Sequence, residues 1–308
     1  MKVKQHIPKE LRFTLADFTK RFPSNDACLE HLKEKRYPGG MAYCTRCGKD
    51  RKHHRVTGRP AYACDYCGKM ISPMAGTIFE KSSTPLKTWF YAMYLMGSTR
   101  CGISAKQIQR ETGVTYKTAW RMFKQIRSVL SDNDMQLEGP TVEIDETYFG
   151  GKRKYGKGRP GRGDKTKTPI VGIVQRGGKV FARAIDAVDK KSLLPLIQKH
   201  VTADSVIYTD EYPAYEGISA LWKDGKPANY KHYRIKHKDG IYVRGHIHTN
   251  SVEGFWSLIK RGIGGVYHSV SPAYLQTYLD EYTFRFNRRH EGNQQFNAIL
   301  ERVFERAS

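Results

Sequence analysis

Two Cys-x-x-Cys pairs constrain the fold of this chain more than any other feature of its sequence. Cys44 and Cys47 lie in CTRCGK, and Cys64 and Cys67 lie in CDYCGK. Two thiolates in a tight turn supply one edge of a tetrahedron, and the glycine after each pair gives the backbone room to turn. A redox function is the alternative, but two copies with the same Gly-Lys tail favour one structural Zn²⁺. The strand-like sequence between the pairs predicts a zinc ribbon over residues 41–76.

The charge of the chain predicts a polyanionic partner. Lys and Arg number 53 against 30 acidic residues in 308, a formal net charge of +23. Nucleic acid is the commonest partner for such an excess, whereas a solubility effect alone is a weaker explanation. An anionic membrane is the rival, but no apolar run approaches the roughly 20 residues of a spanning helix. The N-terminus also has no apolar stretch of signal-peptide length, so we expect an intracellular protein.

The regions on either side of the ribbon are predicted to be helical. Residues 1–40 form a lead-in, and residues 77–138 have the pattern of an all-α helix-turn-helix domain. Within the latter, Ser104 and Gln107 fit a capping box, S-x-x-Q, at the start of one helix. That helix is expected to end at Gly113, and a second helix follows after a short turn.

The second helix of this segment presents a basic face. Lys117, Arg121 and Lys124 recur at i, i+4 and i+7, and Tyr116 stands at the leading end. In helix-turn-helix units the second helix enters the DNA major groove through its N-terminal residues. These four side chains are therefore candidate DNA contacts. The alternative is a plain helical hairpin whose basic face is only solvated.

Residues 139–308 have the pattern of an α/β domain. TVEIDETYFGG, PIVGIVQRGG and KVFARAID are strand candidates, KKSLLPLIQKHV is an amphipathic helix candidate, and SVIYTD is a fourth strand. Three strands, a helix, a strand and later helices give the order of an RNase H-like fold. Periodicity alone also fits other α/β folds, and the positions of the acidic residues narrow the choice.

Three carboxylates stand at positions where a metal site would place them. Asp145 lies in or at the end of the first strand, and Asp210 ends the fourth. A carboxylate at such a position is costly unless it is exposed or bound to a ligand. In open α/β sheets the carboxyl ends of strands are where ligands bind. Glu253, at the head of the helix in HTNSVEGFWSLIKRG, supplies a third acid.

The chemistry of these residues suits hard cations. Three carboxylates can hold two Mg²⁺ or Mn²⁺ ions about 3.5–4 Å apart, and Mg²⁺ also takes phosphate oxygens from a substrate. Asp145 suits a bridging position because a central strand is rigid. Asp210 and Glu253 would each complete the coordination of one ion.

The ordered set of motifs resembles a known family. Zinc ribbon, helix-turn-helix, VEIDETYFGGK, YTDEYPAY and HTNSVEGFWSLIKRG together resemble a DDE transposase of a prokaryotic insertion sequence. More narrowly, the chain resembles the zinc-ribbon, ISXO-like group with an RNase H-like catalytic domain, and the resemblance covers nearly the whole chain. It implies that Asp145, Asp210 and Glu253 are the acid triad. It also implies a prokaryotic, cytoplasmic and nucleoid-associated protein.

The same resemblance bears on two further residues of the last motif. Lys260 matches the family's basic residue; it follows Glu253 by two helical turns, so both side chains share a face. Asn250 is the rival for the third position of the triad, because some members of the group use Asn there. The E-x₆-K spacing and the full negative charge favour Glu253.

A glycine-rich basic segment follows the first catalytic strand. GGKRKYGKGRPGRGDKTKTP carries Lys152, Arg153 and Lys154 near its start. Such a loop can order on phosphate contacts, whose strength falls with salt. The alternative is a solvated loop without a function.

Three functions follow from these observations. The first is a transposase that binds the terminal inverted repeats of its element, cleaves at the ends and joins the 3′-hydroxyls to target DNA. Pairing two ends of double-stranded DNA calls for a homodimer or a larger assembly. The second is a catalytically inactive DNA-binding regulator, in which the three acids would not converge. The third is an RNase H-like nuclease that hydrolyses DNA without joining it.

Overall fold

The protein folds into two compact units. The computed structural model describes residues 8–99, 101–150, 167–235 and 248–305. One unit comprises the described residues of Met1–Val129 and of Glu291–Ser308, and the other comprises those of Leu130–His290. The predicted DNA contacts Lys152, Arg153 and Lys154 lie outside the described residues.

The first unit begins with two short helices, α1 (Leu15–Arg21) and α2 (Asn25–Arg36). The Ser24 side chain accepts a hydrogen bond from the backbone N–H of Ala27, which satisfies one of the free donors at the start of α2. The chain then turns through Pro38–Gly40, where Pro38 cannot continue a helix.

A four-stranded antiparallel sheet forms the zinc ribbon. Its strands are β1 (Met41–Cys44), β2 (Lys49–Arg55), β3 (Tyr62–Cys64) and β4 (Met70–Ile71), in the spatial order β1-β2-β3-β4. Each Cys-x-x-Cys pair begins at the last residue of a strand. Gly48 and Gly68 follow the pairs with φ of 68° and 71°, a conformation that favours glycine. The predicted ribbon is confirmed.

Three helices follow the ribbon: α3 (Leu86–Ser98), α4 (Ala105–Thr112) and α5 (Tyr116–Ser128). Gly113 ends α4 in the left-handed conformation, as the sequence predicts. Only one of the two hydrogen bonds of the predicted capping box forms. Ser104 accepts from the backbone N–H of Gln107, but the Gln107 side chain donates to Glu111 instead of returning to Ser104.

The last helix, α9 (Gln295–Glu305), belongs to the first unit and packs against α3. Phe296 is fully buried and lies in a cluster of aromatic rings that includes Phe18 and Phe22. The approach is close, since a Cβ at Gly97 would lie 2.7 Å from the backbone nitrogen of Phe296. The predicted domain of residues 139–308 includes α9, whereas the structure places α9 in the first unit.

A five-stranded mixed sheet forms the centre of the second unit. Its strands are β5 (Thr141–Phe149), β6 (Thr168–Gln175), β7 (Val180–Ala184), β8 (Val206–Asp210) and β11 (Lys231–Ile235). The spatial order is β11-β8-β5-β6-β7. β5, β6 and β7 are antiparallel neighbours, whereas β8 is parallel to β5 and β11 is parallel to β8. A small hairpin of β9 (Trp222–Lys223) and β10 (Lys226–Pro227) precedes β11. The predicted RNase H-like order is confirmed.

Helices cover both faces of this sheet. On one face, Val142 and Ile144 of β5 pack in a core with side chains of α6 (Lys190–His200). On the other face, α7 (Asn250–Gly262) and α8 (Pro272–Asn287) pack through a second apolar core. Since side chains alternate along a strand, Glu143 and Asp145, which flank Ile144, point toward α7.

Helix α8 carries a buried ion pair of its own. Arg285 donates from Nη2 to Oε1 of Glu281 at 2.8 Å, and Tyr267 also donates to this carboxylate. Both side chains are buried, so removing either partner would leave an uncompensated buried charge. α8 has 16 residues, and no helix in the described parts of the chain is long and apolar enough to cross a membrane.

Candidate active site and zinc site

The strand register brings two of the predicted acids together. β5 runs parallel to β8 with Glu143 opposite Tyr208. The pairing ends at this position, and two residues further along both strands come Asp145 and Asp210, on the same face of the sheet. The two are near enough for the Asp210 charge to raise the pKa of Asp145. Asp210 is the last residue of β8, and its Oδ1 accepts a hydrogen bond from the backbone N–H of Tyr212.

Glu253 and Lys260 share a cleft with Asp145. The cleft has a volume of about 570 Å³ and is lined by Asp145, Glu146, Thr147, Glu253, Trp256, Ser257, Lys260 and Arg261. Glu253 lies in the first turn of α7, where Thr249 donates to its carboxylate at 3.2 Å. Asn250 is exposed at the first position of α7 and is not among these lining residues. Of the two candidates for the third position, Glu253 therefore shares the cleft with Asp145 and Asn250 does not.

The three acids are spread more widely than one metal ion requires. Asp210 does not line the cleft, but it is near Asp145, which does. Among the described residues, the three carboxylates are not a group whose ligand atoms all lie within 4.8 Å of one another. A pair of ions about 3.5–4 Å apart has a wider ligand shell, with one carboxylate between the ions and one at each side. Without an ion, the structure does not bring the three carboxylates into one compact ligand set.

Asp145 has a strongly perturbed environment. Burial raises the pKa of its carboxyl from the ordinary 3.8 to about 7, and the charges of Glu146 and Asp210 act in the same direction. Trp256 partly opposes this shift, because its Nε1–H donates to Oδ2 of Asp145 at 3.0 Å. A bound cation stabilises a buried carboxylate that has like charges around it. The environment of Asp145 therefore suits a metal ligand.

Glu146 is a further acid of the cleft. It lies on the opposite face of β5 from Asp145, and its Oε2 accepts from the Tyr215 hydroxyl at 2.7 Å. Tyr215 is fully buried, and burial together with the Glu146 charge raises its pKa well above 10. Glu146 is thus held in place at the edge of the cleft. Nothing in the local sequence pattern distinguishes it from other acids.

Trp256 fixes the position of α7 on the sheet. Its indole lies over Gly172 of β6, where an added Cβ would come within 2.6 Å of the ring. The sequence predicts only a packing function for Trp256. Its hydrogen bond to Asp145 shows that the same ring also contacts the acid cluster.

Glu143 is the polar residue of this region that sequence reasoning missed. It is fully buried in β5 and accepts from Nε of Arg176 at 2.6 Å. The available signal was the alternation of β5, which puts Glu143 on the same face as Asp145. A carboxylate in the middle of a buried strand needs a partner, but the sequence does not identify Arg176 as that partner.

The four ribbon thiols form a metal site. The Sγ atoms of Cys44, Cys47, Cys64 and Cys67 all lie within 4.8 Å of one another. The Sγ atoms of Cys44 and Cys67 are 3.4 Å apart, and those of Cys47 and Cys64 are 3.9 Å apart. A Zn–S bond of about 2.3 Å implies a tetrahedral S···S edge of about 3.8 Å, so the spacing fits Zn²⁺.

The surroundings of these thiols also suit a metal. Burial alone would raise the pKa of Cys44, but hydrogen bonds from the Cys47 backbone and the Cys67 thiol lower it to about 6. The hydrogen bond with the Cys67 thiol and burial raise the pKa of Cys47 to about 12, so without a cation the negative charge is concentrated on Cys44. A thiolate is the form that binds zinc. The predicted four-cysteine set is confirmed as one cluster.

The basic face of α5 is exposed as predicted. Lys117, Arg121 and Lys124 are exposed, and Tyr116 at the start of the helix is 44% exposed. The opposite face of α5 is buried in the helical core. Lys106 of α4 lies over the Tyr116 ring at 4.8 Å, so the two helices of the motif share one positively charged surface.

Comparisons with known proteins agree with this architecture. The transposase zinc-ribbon domain family matches residues 23–70, and the ISXO2-like transposase domain family matches residues 136–287. A similar protein is described as an uncharacterized protein in transposable element ISH50 of Halobacterium salinarum. It is 29% identical over 300 residues, which cover 92% of this chain and 98% of that protein. An uncharacterized transposase-like protein of Haemophilus influenzae is 28% identical over 109 residues, 35% of this chain and 81% of that protein.

Among solved structures, a pre-cleavage Mos1 transpososome is 11% identical and has a TM-score of 0.28. The match covers 67% of this chain and 75% of that one. The two domain families match the ribbon and the mixed sheet in the same order as the structure shows them. With its four-thiol ribbon and its mixed sheet, this chain belongs to the zinc-ribbon group of ISXO2-like DDE transposases of insertion sequences.

Proposed function

We propose that this transposase cleaves DNA at the ends of its element and joins the freed 3′-hydroxyls to target DNA by two-metal phosphoryl transfer. The observation that carries the proposal is the placement of Asp145 beside Asp210, with Glu253 of α7 in the same cleft as Asp145. Two neighbouring strands and one helix thus supply three carboxylates from 109 residues of chain.

The donor set fits hard divalent cations. Asp145, which is near Asp210 and shares the cleft with Glu253, would help to hold both ions, and Asp210 and Glu253 would each help to hold one. When bound, two Mg²⁺ or Mn²⁺ ions would activate a water or 3′-hydroxyl and stabilise the leaving oxygen. Glu146, held by Tyr215, adds negative charge beside Asp145 and so strengthens the attraction for cations.

Two basic side chains of α7 would hold the DNA backbone. Lys260 and Arg261 line the cleft two turns beyond Glu253, on the side of the helix that faces the acids. A phosphate that contacts Lys260 would be oriented with its scissile bond toward the carboxylates. With a pKa of about 7, Asp145 is partly protonated near neutral pH, so metal affinity at this site would rise with pH.

The first unit would recognise the element ends. α5 would enter the major groove of an inverted repeat with Tyr116, Lys117, Arg121 and Lys124, and the zinc ribbon would add contacts nearby. Lys152, Arg153 and Lys154, after β5, are proposed contacts to DNA phosphates. Because two ends must be paired before joining, we propose a homodimer or larger assembly on double-stranded DNA.

A strand-transfer assay tests the proposal. The protein is incubated with Mg²⁺ or Mn²⁺, labelled element-end DNA and a target plasmid. We expect cleavage at the ends and labelled joined products, and neither product with Asp145→Asn or Glu253→Gln. Asn250→Ala is the matched control for Glu253→Gln, since Asn250 begins the same helix but does not line the cleft.

The alternatives give different products. Cleavage without joining would favour a nuclease, and tight end binding without cleavage would favour a DNA-binding regulator. Loss of joined products in Asn250→Ala, with retention in Glu253→Gln, would transfer the third ligand position to Asn250. Activity in Asp145→Asn would refute the assignment of the triad.

A further inference from the structure

A network of contacts lies directly beneath the three acids. Glu143 stands two residues before Asp145, Tyr208 two before Asp210, and Ser251 two before Glu253. In the two strands, residues two apart point to the same face, about 6.5–7 Å from one another. Glu143 and Tyr208 therefore lie one step before the two aspartates on the same face of the sheet. Ser251, at the start of the helix that carries Glu253, is connected to them through Glu143 and Arg176.

Glu143 joins β5 to the start of α7. Its Oε2 accepts from the backbone N–H of Ser251 at 2.7 Å and from that of Val252 at 3.2 Å. Its Oε1 accepts from the Ser251 hydroxyl at 3.0 Å. The N-terminal N–H groups of a helix have no partner within the helix, and a carboxylate there is favoured by the helix dipole. Glu143 thus fixes the end of α7 from which Glu253 projects.

Arg176 joins the same carboxylate to β8 and to the segment before α7. Its Nε donates to Glu143 at 2.6 Å, and its Nη2 donates to the backbone carbonyl of His248 at 2.7 Å. Its guanidinium lies 4.5 Å from the centre of the Tyr208 ring. One planar, multiply donating cation therefore contacts the two strands that carry the aspartates and the segment that leads into α7.

From this geometry we propose that Glu143 and Arg176 are positioning residues, which set the spacing of Asp145, Asp210 and Glu253 for metal binding without touching the ions. The inference rests on the proposed function of the triad. The register of β5 and β8 fixes the two aspartates along the sheet. Glu253 lies on a separate helix, so its distance from Asp145 depends on how α7 is attached to the sheet. The Glu143 contacts hold the start of α7, and Trp256 adds its packing on Gly172 and its hydrogen bond to Asp145.

Manganese binding to the full-length protein tests this inference. Mn²⁺ affinity is measured by electron paramagnetic resonance with zinc retained in the ribbon, for wild type, Asp145→Asn, Glu143→Gln and Glu281→Gln. Glu281→Gln is the matched control. It also removes the charge of a fully buried carboxylate paired with an arginine, but on α8. Loss of a partner that orients metal ligands costs about 10–100-fold in metal affinity, so we expect at least a tenfold weaker affinity in Glu143→Gln.

The controls separate positioning from general destabilisation. Glu281→Gln is expected to lower unfolding stability and to leave Mn²⁺ affinity unchanged. Excess Mn²⁺ is expected to restore end cleavage in Glu143→Gln but not in Asp145→Asn, while element-end binding is retained in both. Should Glu143→Gln fail to fold, Ser251→Ala replaces it, because it removes one donor to Glu143 and leaves the pair with Arg176 intact. That variant is expected to bind Mn²⁺ more weakly than wild type.

The possible outcomes test the metal triad and the positioning inference separately. Wild-type Mn²⁺ affinity in Asp145→Asn would overturn the proposed metal triad itself. If Asp145→Asn binds Mn²⁺ weakly but folded Glu143→Gln binds it with wild-type affinity, the positioning inference alone would be overturned. Where Glu143→Gln does not fold, wild-type affinity in folded Ser251→Ala would have the same consequence. An equal loss of affinity in Glu281→Gln would also overturn it, because general destabilisation would then explain the effect.

Discussion

Replacing Asp145 by Asn should stabilise the metal-free protein, although it removes a proposed metal ligand. Burial and the neighbouring acids raise the pKa of Asp145 from 3.8 to about 7 in the folded unit. Above pH 7 the folded state therefore contains an ionised carboxylate in an unfavourable environment, whereas the unfolded chain ionises it freely. The Asn side chain carries no charge, and its Oδ1 can still accept the hydrogen bond from Trp256.

The magnitude follows from the difference between the two pKa values. The pKa of Asp145 rises from 3.8 to about 7, and a shift of one pKa unit corresponds to about 1.4 kcal/mol. The ionised carboxylate therefore costs the folded state about 4 kcal/mol. The cost develops as pH rises, because the folded state binds the proton more tightly than the unfolded chain between these values. At pH 4.5 the same difference leaves a cost of only about 1 kcal/mol. The advantage of Asn should thus grow by about 3 kcal/mol between pH 4.5 and 8.5.

Urea unfolding with EDTA measures this effect. Zinc loss from the ribbon is the same for both proteins, so the free energy of unfolding of the second unit is compared between wild type and Asp145→Asn at both pH values. Asp204→Asn is the control, since Asp204 is an exposed residue of the same unit. A stability advantage of Asp145→Asn that stays constant or shrinks as pH rises would refute the reasoning. In Mg²⁺ the order should reverse, because only the carboxylate gains the binding energy of the ions.

Three other changes have defined outcomes. Lys117→Ala should weaken binding to element-end DNA and lower the salt slope by about 1 if it contacts a phosphate, which anisotropy titrations at several salt concentrations would show. Gly172→Ala should cost about 1–3 kcal/mol of unfolding free energy by displacing Trp256, and wild-type urea stability would contradict this contact. Cys64→Ser should abolish binding of one Zn²⁺ per chain and weaken end binding, yet retain Mn²⁺ affinity; retained zinc would contradict the four-thiol site.

Local signals in the sequence predicted the elements that depend on neighbours in the chain. Ser104 caps α4, Gly113 ends it, and the two aspartates stand on adjacent strands, each where its strand motif placed it. The cysteine spacing likewise determined the ribbon. In these cases the deciding interaction is a backbone turn, a cap or an alternation within about ten residues, which a sequence records directly.

Contacts between distant residues were not predictable in the same way. The aromatic cluster around Phe296 determines that α9 packs with the first unit, and Gly97, almost 200 residues earlier, makes room for it. Likewise Glu143 contacts Ser251 across 108 positions of the chain. The apolar pattern of α9 and the acid in β5 indicated that each needs a partner. Only the packing of the fold selects which partner it is.

The charges of the cleft imply that its interaction with DNA depends on metal ions, whereas end recognition does not. Asp145, Glu146 and Glu253 line the cleft against Lys260 and Arg261, so its lining opposes an approaching phosphate even though the chain carries a net charge of +23. Two divalent ions would reverse that sign locally. The exposed basic face of α5, the proposed end-binding surface, would attract DNA without ions. A transposase built in this way can bind its element ends first, and admit the scissile phosphate to the acids only when the ions are present.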